Sequence, residues 1–336
     1  MRKEIKSCPI CGAHSNHAKG KVEGFVKNLF FDIVECISCK SSFASPLEVN
    51  PQIYNAIYKQ ANRIPGYSRY SSLPVKILDA KSPAVLMENL EDCYYGILRE
   101  LKKLPKNKDF TIVEVGCGLG YLTHTINSLG YRCIGVDISK ASIAHAKKTF
   151  SSSEFFCGTI EEFIQDNDKP TIIVSTEVIE HLVDPAAFIK LLLTPLKKAS
   201  GVKPRAIIST PYKHESTKSL WEGDLPPIHL FWFTKESFRR MALVNNSTVK
   251  FIDLSKFYEE HPTYIKYPNI PGIINRPFLD KNYQYYDEGA IKNIFRTIGN
   301  FSFKRKVSKY LKEKALRTNE TSHSICAVFY PSFAKK

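Results

Sequence analysis

A short β-branched run that leads directly into three alternating glycines constrains this chain more than any other feature. The run covers residues 111–115, and the glycines are Gly116, Gly118 and Gly120. Glycine lets the backbone approach a ligand closely and relieves a tight strand-to-helix turn. Asp137 follows the next predicted strand, where a carboxylate can accept both hydroxyls of a ribose. Together these features predict a nucleotide-type cofactor site in an α/β fold.

The glycine spacing differs from the dinucleotide-binding pattern G-x-G-x-x-G, which aims a helix N-terminus at a pyrophosphate. Here the glycines alternate, and Glu114 precedes the first of them by two residues. A carboxylate repels a pyrophosphate but attracts an ammonium or sulfonium group. The segment resembles motif I of the class I S-adenosylmethionine-dependent methyltransferases. The resemblance implies that the glycines approach the amino-acid part of S-adenosyl-L-methionine, with Glu114 nearby and Asp137 on the ribose.

Predicted strands and helices alternate through the rest of the chain, as in a doubly wound parallel sheet. The strands are predicted at residues 110–115, 131–136, 154–157, 171–175, 205–209, 249–254 and 323–330. The predicted fold class is therefore α/β: a Rossmann-like, doubly wound, seven-stranded methyltransferase sheet with a small N-terminal zinc ribbon. The methyltransferase domain is predicted over residues 106–336.

The ribbon is predicted over residues 1–45 from two C-x-x-C pairs. Four thiolates are enough to close a tetrahedral zinc site. So small a module has few core residues and could hardly fold without a metal. His14 and His17 are rival ligands, and thiols without metal are the alternative. The predicted ligands of one structural Zn²⁺ are Cys8, Cys11, Cys36 and Cys39.

Residues 46–105 are predicted as a tyrosine-rich helical linker or lid between these two domains. Pro65-Gly66 and Leu73-Pro74 predict breaks between its helices. From residue 84 to residue 104 a helical pattern leads to Pro105 and the first strand of the sheet.

Further cofactor contacts are predicted around the glycine turn, at the strand ends and in the linker. Residues 159–162 resemble the ubiquinone-biosynthesis O-methyltransferases, many of which carry an acid near the Thr159 position. With threonine at this position, the resemblance implies that backbone groups and Ile160 contact the adenine in place of an acidic side chain. The additional predicted contacts are Cys117, Tyr121, Ile138, Thr159, Ile160, Thr176 and Tyr70.

A second polar cluster follows the fourth strand, where open α/β sheets bind ligands. Its members Glu177, Glu180 and His181 can act as general base or bind a divalent cation. The segment resembles both the ubiquinone-biosynthesis O-methyltransferases and the small-RNA 2′-O-methyltransferases. In the latter, such a cluster and a later histidine hold a metal at the acceptor hydroxyl, and His229 could match that histidine. Three uses stay open: a general base, an Mg²⁺ or Mn²⁺ site, and bracing of the loop.

The formal net charge of +15, from 48 basic and 33 acidic residues, favours acidic partners. A basic helical insertion is predicted at about residues 286–320. It could contact nucleic acid, a phosphorylated carrier or the surface of a membrane, or form a solvated face. No apolar run is long enough to span a bilayer, and the N-terminus does not resemble a secretory signal. With nine cysteines, these features predict a reduced, cytoplasmic setting.

The preferred hypothesis is a methyltransferase that acts on a hydroxylated small molecule, such as a nucleotide-linked sugar or glycan precursor. The order of zinc module, tyrosine-rich linker and core resembles sugar C-methyltransferases of deoxysugar pathways. The first alternative is an RNA methyltransferase that binds phosphates through the ribbon and the basic insertion. The second is a non-catalytic cofactor-binding protein. The predicted catalytic residues are His181, His229, Glu177 and Glu180.

Overall fold

The structure is a computed structural model. It describes residues 7–14, 16–64, 67, 69–106, 109–213, 225–262, 277–286 and 322–332. The predicted basic insertion lies outside these residues apart from Tyr286.

The N-terminal module is built on a four-stranded antiparallel sheet. In sheet order its strands are β1 (Asn16–Glu23), β2 (Phe30–Cys36), β3 (Ser42–Ser45) and β9 (Phe231–Trp232). The strand β9 comes from far along the chain and aligns Phe231 with Phe43. Apolar residues of the module and of the large domain form one continuous core. The ribbon is therefore completed by the domain that it packs against.

The large domain is built on a seven-stranded sheet. Its strands are β4 (Ile112–Val115), β5 (Cys133–Asp137), β6 (Glu154–Cys157), β7 (Ile172–Thr176), β8 (Arg205–Pro211), β10 (Ser247–Phe251) and β11 (Ser324–Pro331). The strand order is β10-β11-β8-β7-β4-β5-β6. Strands β8, β7, β4, β5 and β6 are parallel, whereas β11 is antiparallel to both of its neighbours. The order reverses at β4, which places the ends of β4 and β7 where ligands bind in such sheets.

Helices pack around this sheet. They are α1 (Pro51–Lys59), α2 (Arg69–Asp79), α3 (Pro83–Leu90), α4 (Asp92–Leu101), α5 (Tyr121–Ser128), α6 (Lys140–Thr149), α7 (Ile160–Asp166), α8 (Pro185–Leu193), α9 (Lys235–Val244) and α10 (Ser255–Glu260). Polar residues set several of their starts: the side chains of Ser139 and Asp184 each accept a hydrogen bond from the first turn of the following helix. None of the described helices combines the length and the apolar character that crossing a membrane requires.

Part of the predicted linker packs as an integral layer of the large domain. Leu98 and Leu101 of α4 are fully buried in the same cluster as Ile112 of β4. The buried Asp92 carboxylate accepts hydrogen bonds from the backbone N–H and the hydroxyl of Ser324 in β11, at 3.0 and 2.8 Å. The helix α4 is thereby tied to the sheet through both apolar and polar contacts.

The predicted helix break at Leu73-Pro74 is wrong, because α2 runs through both residues. Proline removes one backbone hydrogen bond from a helix interior. Leu73 and Ile77 are buried in the large core on the same helix, and their burial offsets that loss.

Candidate functional site

The glycine turn after β4 has left-handed backbone angles at all three glycines. The φ values are +77° at Gly116, +51° at Gly118 and +82° at Gly120. A Cβ on Gly116 would lie 2.4 Å from Val178 Cγ2, and one on Gly120 would lie 2.6 Å from the Phe155 ring. A Cβ on Gly118 would meet nothing within 4 Å. Two glycines therefore permit close packing, and the third faces open space in which a ligand could approach the backbone.

Asp137 at the end of β5 is already oriented by the turn. One carboxylate oxygen accepts a hydrogen bond from the Gly118 N–H at 2.9 Å, and the other accepts one from the Ser139 N–H at 2.8 Å. Each oxygen keeps a further lone pair for a ribose hydroxyl. The carboxylate thus links the glycine turn to the start of α6.

Glu114 lies beneath the turn and is almost completely buried. Its carboxyl group accepts a hydrogen bond from the Thr123 hydroxyl of α5. Burial raises the pKa of Glu114 to about 8; hydrogen bonds from Thr123 oppose this shift, and the charge of Asp137 adds to it. The carboxyl group therefore holds a proton at neutral pH unless a cation comes close.

This pKa shift predicts a pH-dependent stability. The folded state holds the Glu114 proton up to about pH 8, whereas an unfolded glutamate releases it near its ordinary pKa of 4.5. The free energy of unfolding should therefore fall as pH rises between these values, by about 1.4 kcal/mol per unit, and level off above. Glu114→Gln should remove this contribution, because an amide does not titrate. Urea unfolding of both proteins between pH 5 and 8.5 measures this contribution. If the free energy of unfolding depends on pH in the same way in the two proteins, the predicted role of Glu114 is contradicted.

The remaining predicted cofactor contacts differ in what they can offer. Ile138, beside Asp137, is a 76% exposed apolar residue that an adenine ring could cover. The Thr159 hydroxyl caps α7 by accepting a hydrogen bond from the Glu162 N–H, and Ile160 is buried. The buried Thr176 hydroxyl finds no hydrogen-bond partner within the described ranges. Ile138 and Thr176 are thus the members best placed for a ligand.

Three further predicted cofactor contacts gain no support from the structure. Cys117 and Tyr121 pack into the core beside α5. Tyr70 lies in α2, but its side chain is outside the described part of the structure. Their assignment to the cofactor stays a prediction.

The loop after β7 connects the glycine turn to the second polar cluster. Val178 packs directly on Gly116. Before it, Glu177 has a left-handed φ of +54°, and its N–H donates to the Ser209 carbonyl of β8 at 3.0 Å. After it, a single 3₁₀ turn, Ile179–His181, carries Glu180 and His181, two of the four predicted catalytic residues. Glu177, Glu180 and His181 therefore lie within three residues of Val178, which contacts the glycine turn.

His181 is held in one tautomer. Its Nδ1 lies 2.7 Å from the Ile228 carbonyl oxygen, which can only accept, so Nδ1 carries the hydrogen and Nε2 keeps a lone pair. Burial lowers the pKa of His181 below 6.5, against the effect of the Ile228 and Glu177 carbonyls. At neutral pH the imidazole is thus neutral and able to accept a proton at Nε2.

Glu180, His181 and His229 come together. The two imidazole rings meet edge to face with centroids 4.8 Å apart. Glu180 is 1% exposed; one of its carboxylate oxygens accepts a hydrogen bond from the Thr210 hydroxyl at 2.9 Å, and the other lies 3.8 Å from His181 Nε2. One potential ligand atom from each of the three residues lies within 4.8 Å of the others, and Glu177 is not part of this group.

The four N-terminal cysteines also converge. Their sulfurs lie within 4.8 Å of one another, with Cys8 and Cys39 at 3.7 Å and Cys11 and Cys36 at 3.6 Å. A tetrahedral site with zinc–sulfur bonds of about 2.3 Å separates its sulfurs by about 3.8 Å. The rival ligands His14 and His17 are not part of the group. The donor set therefore fits a structural zinc ion.

Two similar turns shape this cysteine group. Gly12 and Lys40 each donate a backbone hydrogen bond of 2.9 Å to the first cysteine of the preceding pair, and both have positive φ. The hydrogen bond from the Cys8 thiol lowers the pKa of Cys39 to about 5, and hydrogen bonds from Ser41 add to this effect against that of burial. A thiolate, which is the form that binds metal, is thus favoured at Cys39.

Comparison with known proteins matches residues 89–248 to a family described as a methyltransferase domain. The chain is 29% identical over 143 residues to a ubiquinone biosynthesis O-methyltransferase of Bradyrhizobium diazoefficiens, covering 39% of this chain and 56% of the relative. It is 34% identical over 175 residues to that of Nitrobacter winogradskyi, covering 51% and 62%. The chain spans about half the length of the curated relatives it matches.

Among solved structures, the plantazolicin methyltransferase BamL, in complex with a triazolic analogue and SAH, has a TM-score of 0.41 at 16% identity. That similarity covers 83% of this chain and 96% of BamL.

The family match, the strand order and the glycine turn define the matched part of the chain as a methyltransferase domain of the class I, S-adenosylmethionine-dependent type. The predicted fold class and the predicted family are confirmed.

Proposed function

We propose that the protein transfers a methyl group from S-adenosylmethionine to a hydroxyl group of a small molecule. The observation that carries the proposal is the neutral His181, whose Nε2 is free to accept a proton beside Glu180 and His229. The packing of Val178 on Gly116 joins this cluster to the cofactor turn. The names of the sequence relatives, which are O-methyltransferases, support an oxygen acceptor.

In this proposal S-adenosylmethionine, when bound, supplies the methyl group of its sulfonium. The acceptor oxygen forms a bond to that methyl group while the carbon–sulfur bond breaks, which leaves a thioether. His181 Nε2 takes the proton of the acceptor hydroxyl and becomes an imidazolium. The Glu180 carboxylate, 3.8 Å away, stabilises the positive charge of that ring. The hydrogen bond to Ile228 keeps the ring oriented throughout.

A divalent cation is the alternative use of the same cluster. A metal bound by Glu180, His181 and His229 would lower the pKa of the acceptor hydroxyl directly. Two imidazoles and one carboxylate suit Mn²⁺ or another transition metal better than Mg²⁺, which prefers oxygen ligands. We place the general base first because His181 fulfils that role without a further component.

The surroundings of His181 support a cyclic acceptor such as a sugar. Tyr54 of α1 meets the His181 ring edge to face at 5.9 Å, and its hydroxyl donates to the Ile228 carbonyl at 3.2 Å. Tyr54, Tyr67, Tyr283 and Tyr285 all pack against one apolar cluster that includes Ile228. An aromatic ring beside polar catalytic groups, as Tyr54 provides here, favours an acceptor ring with hydroxyl groups, including a nucleotide-linked one.

The alternatives need other parts of the chain. Methylation of RNA would use the zinc ribbon and the basic insertion to bind phosphates, and contact with a membrane surface would use the insertion. The insertion lies outside the described residues apart from Tyr286. A non-catalytic protein would bind the cofactor and transfer methyl to no acceptor.

Gly118→Ala is the test of the cofactor site. We expect its affinity for S-adenosylmethionine to fall at least tenfold, or about 1.4 kcal/mol, because the new Cβ occupies the space where the ligand meets the backbone. Gly130→Ala is the matched control: at φ +83°, with nothing within 4 Å, it carries similar backbone strain away from the site. Calorimetry gives the affinity, and transfer of labelled methyl to nucleotide-linked sugars gives the activity. Equal affinities of the two variants would contradict the site.

A further inference from the structure

We propose that the N-terminal zinc module positions His229 for catalysis. The module holds the histidine segment, defined here as residues 226–234, at three points. It thereby sets where the His229 ring lies relative to His181. The inference rests on the proposed function, in which these two imidazoles meet the acceptor.

The first point of attachment is the start of the histidine segment. The turn between β1 and β2 brings the Phe25 N–H to the Pro226 carbonyl oxygen at 2.8 Å. The backbones are so close that a Cβ on Gly24 would lie 2.3 Å from that oxygen. Phe25 itself is fully buried and packs on Phe278 at a ring distance of 5.1 Å. The tip of the ribbon therefore fixes the chain three residues before His229.

The second point is the residue that follows His229. The Leu230 carbonyl accepts a hydrogen bond from the Ala44 N–H of the ribbon at 2.9 Å. The Leu230 N–H donates to the Glu180 carbonyl oxygen at 2.8 Å. One residue therefore bridges the ribbon and the catalytic turn. Pairing of Phe231 with Phe43 in the ribbon sheet extends this attachment.

The third point joins the end of the segment to the cysteine group. The Thr234 hydroxyl donates to the Cys39 carbonyl oxygen at 2.7 Å. Nearby, the Lys213 ammonium donates to the Lys40 carbonyl oxygen at 2.7 Å and to the Glu35 carboxylate at 2.6 Å. A metal bound by the cysteines would fix the Cys36–Cys39 turn, and through this hydrogen bond the end of the histidine segment.

These three attachments should affect the rate of methyl transfer and not the binding of the cofactor. Misplacement of a catalytic group by about 1 Å can cost about 10²-fold in rate. None of the three attachments includes the glycine turn or Asp137. Loosening the ribbon should therefore slow methyl transfer and leave the affinity for S-adenosylmethionine unchanged.

The test is Gly24→Ala, which forces the ribbon tip away from Pro226. We expect kcat to fall by about 10- to 100-fold, with cofactor affinity within about twofold of wild type. We also expect faster modification of His229 by diethylpyrocarbonate, measured by peptide mass spectrometry. Gly20→Ala is the control, because at φ +136° it strains the backbone of the same hairpin while its Cβ would meet nothing within 4 Å, so it does not push on Pro226. Wild-type kcat, unchanged His229 reactivity, or an equal loss of cofactor affinity would each overturn the proposal.

Thr234→Val and Thr234→Ser test the third attachment without a change at Gly24. Valine removes the hydrogen bond to Cys39 and also the one by which the same hydroxyl caps α9, whereas serine keeps both. Only valine should therefore raise the reactivity of His229 and lower kcat, and removal of the metal tests the Cys39 attachment with the cap in place. Removal of metal by a chelator should have the same effect as valine. If the wild-type protein methylates no acceptor, the proposed function fails, but His229 reactivity still decides whether the ribbon positions the ring. Equal behaviour of the two threonine variants would overturn the proposal.

Discussion

Replacing His181 by alanine is expected to lower methyl transfer by about 10²–10⁴-fold, which is the usual contribution of a general base. Affinity for S-adenosylmethionine should stay near that of wild type, because the ring contacts Ile228, Tyr54 and His229, none of which belongs to the glycine turn. His229→Ala should act in the same direction. Steady-state kinetics with calorimetry separate the two effects, and wild-type turnover in both variants would show that the histidines are structural.

The pH profile and a chelator decide between the two uses of the cluster. Because the pKa of His181 is lowered by burial, a general base should give an acid limb below pH 6.5 and a flat rate at neutral pH. Chelator should then leave the rate unchanged, provided that zinc stays in the ribbon. A rate that is lost with chelator and restored by Mn²⁺ alone would show a metal at Glu180, His181 and His229. Zinc content measured in the same samples serves as the control.

Removal of the zinc ligands should have the largest effect on folding. We expect one zinc ion per wild-type chain and none after replacement of Cys36 and Cys39 by serine. Structural zinc sites contribute about 10–16 kcal/mol of apparent binding free energy, so the ribbon should unfold without the metal. Elemental analysis and limited proteolysis measure both effects.

Cys157→Ser is the matched control for the zinc variants, because it removes an exposed thiol at the end of β6. It should keep the zinc and resist protease as the wild type does. A metal-free preparation with an intact ribbon would contradict the zinc site.

The parts of the fold set by local chemistry could be predicted from the sequence. The strand Glu154–Cys157 has its predicted bounds, and the helical pattern predicted at residues 84–104 corresponds to α3 and α4. The glycine turn has the left-handed angles that its spacing required. These features depend on residues close together in the chain, where capping, periodicity and glycine content are strong signals.

The parts set by distant contacts could not be predicted. The strand β9 is two residues long and exists only because β3 offers a free edge, so no sequence pattern marks it. The burial of Glu114 depends on Thr123 and the helix above it, which a strand pattern does not specify. The resemblance to the small-RNA 2′-O-methyltransferases implied that His229 lies near His181, but the attachment of His229 to the ribbon was not visible in either segment.

The pairing of β3 with β9 also has a consequence for biosynthesis. All four cysteines leave the ribosome well before residues 231–232, so the ribbon can take up its metal while its sheet still lacks β9. The edge of β3 stays uncovered until residues 231–232 emerge. At about 5–20 residues per second, that interval lasts roughly 10–40 seconds. During it the nascent chain exposes an apolar strand edge, which is the kind of surface that chaperones bind and that drives aggregation.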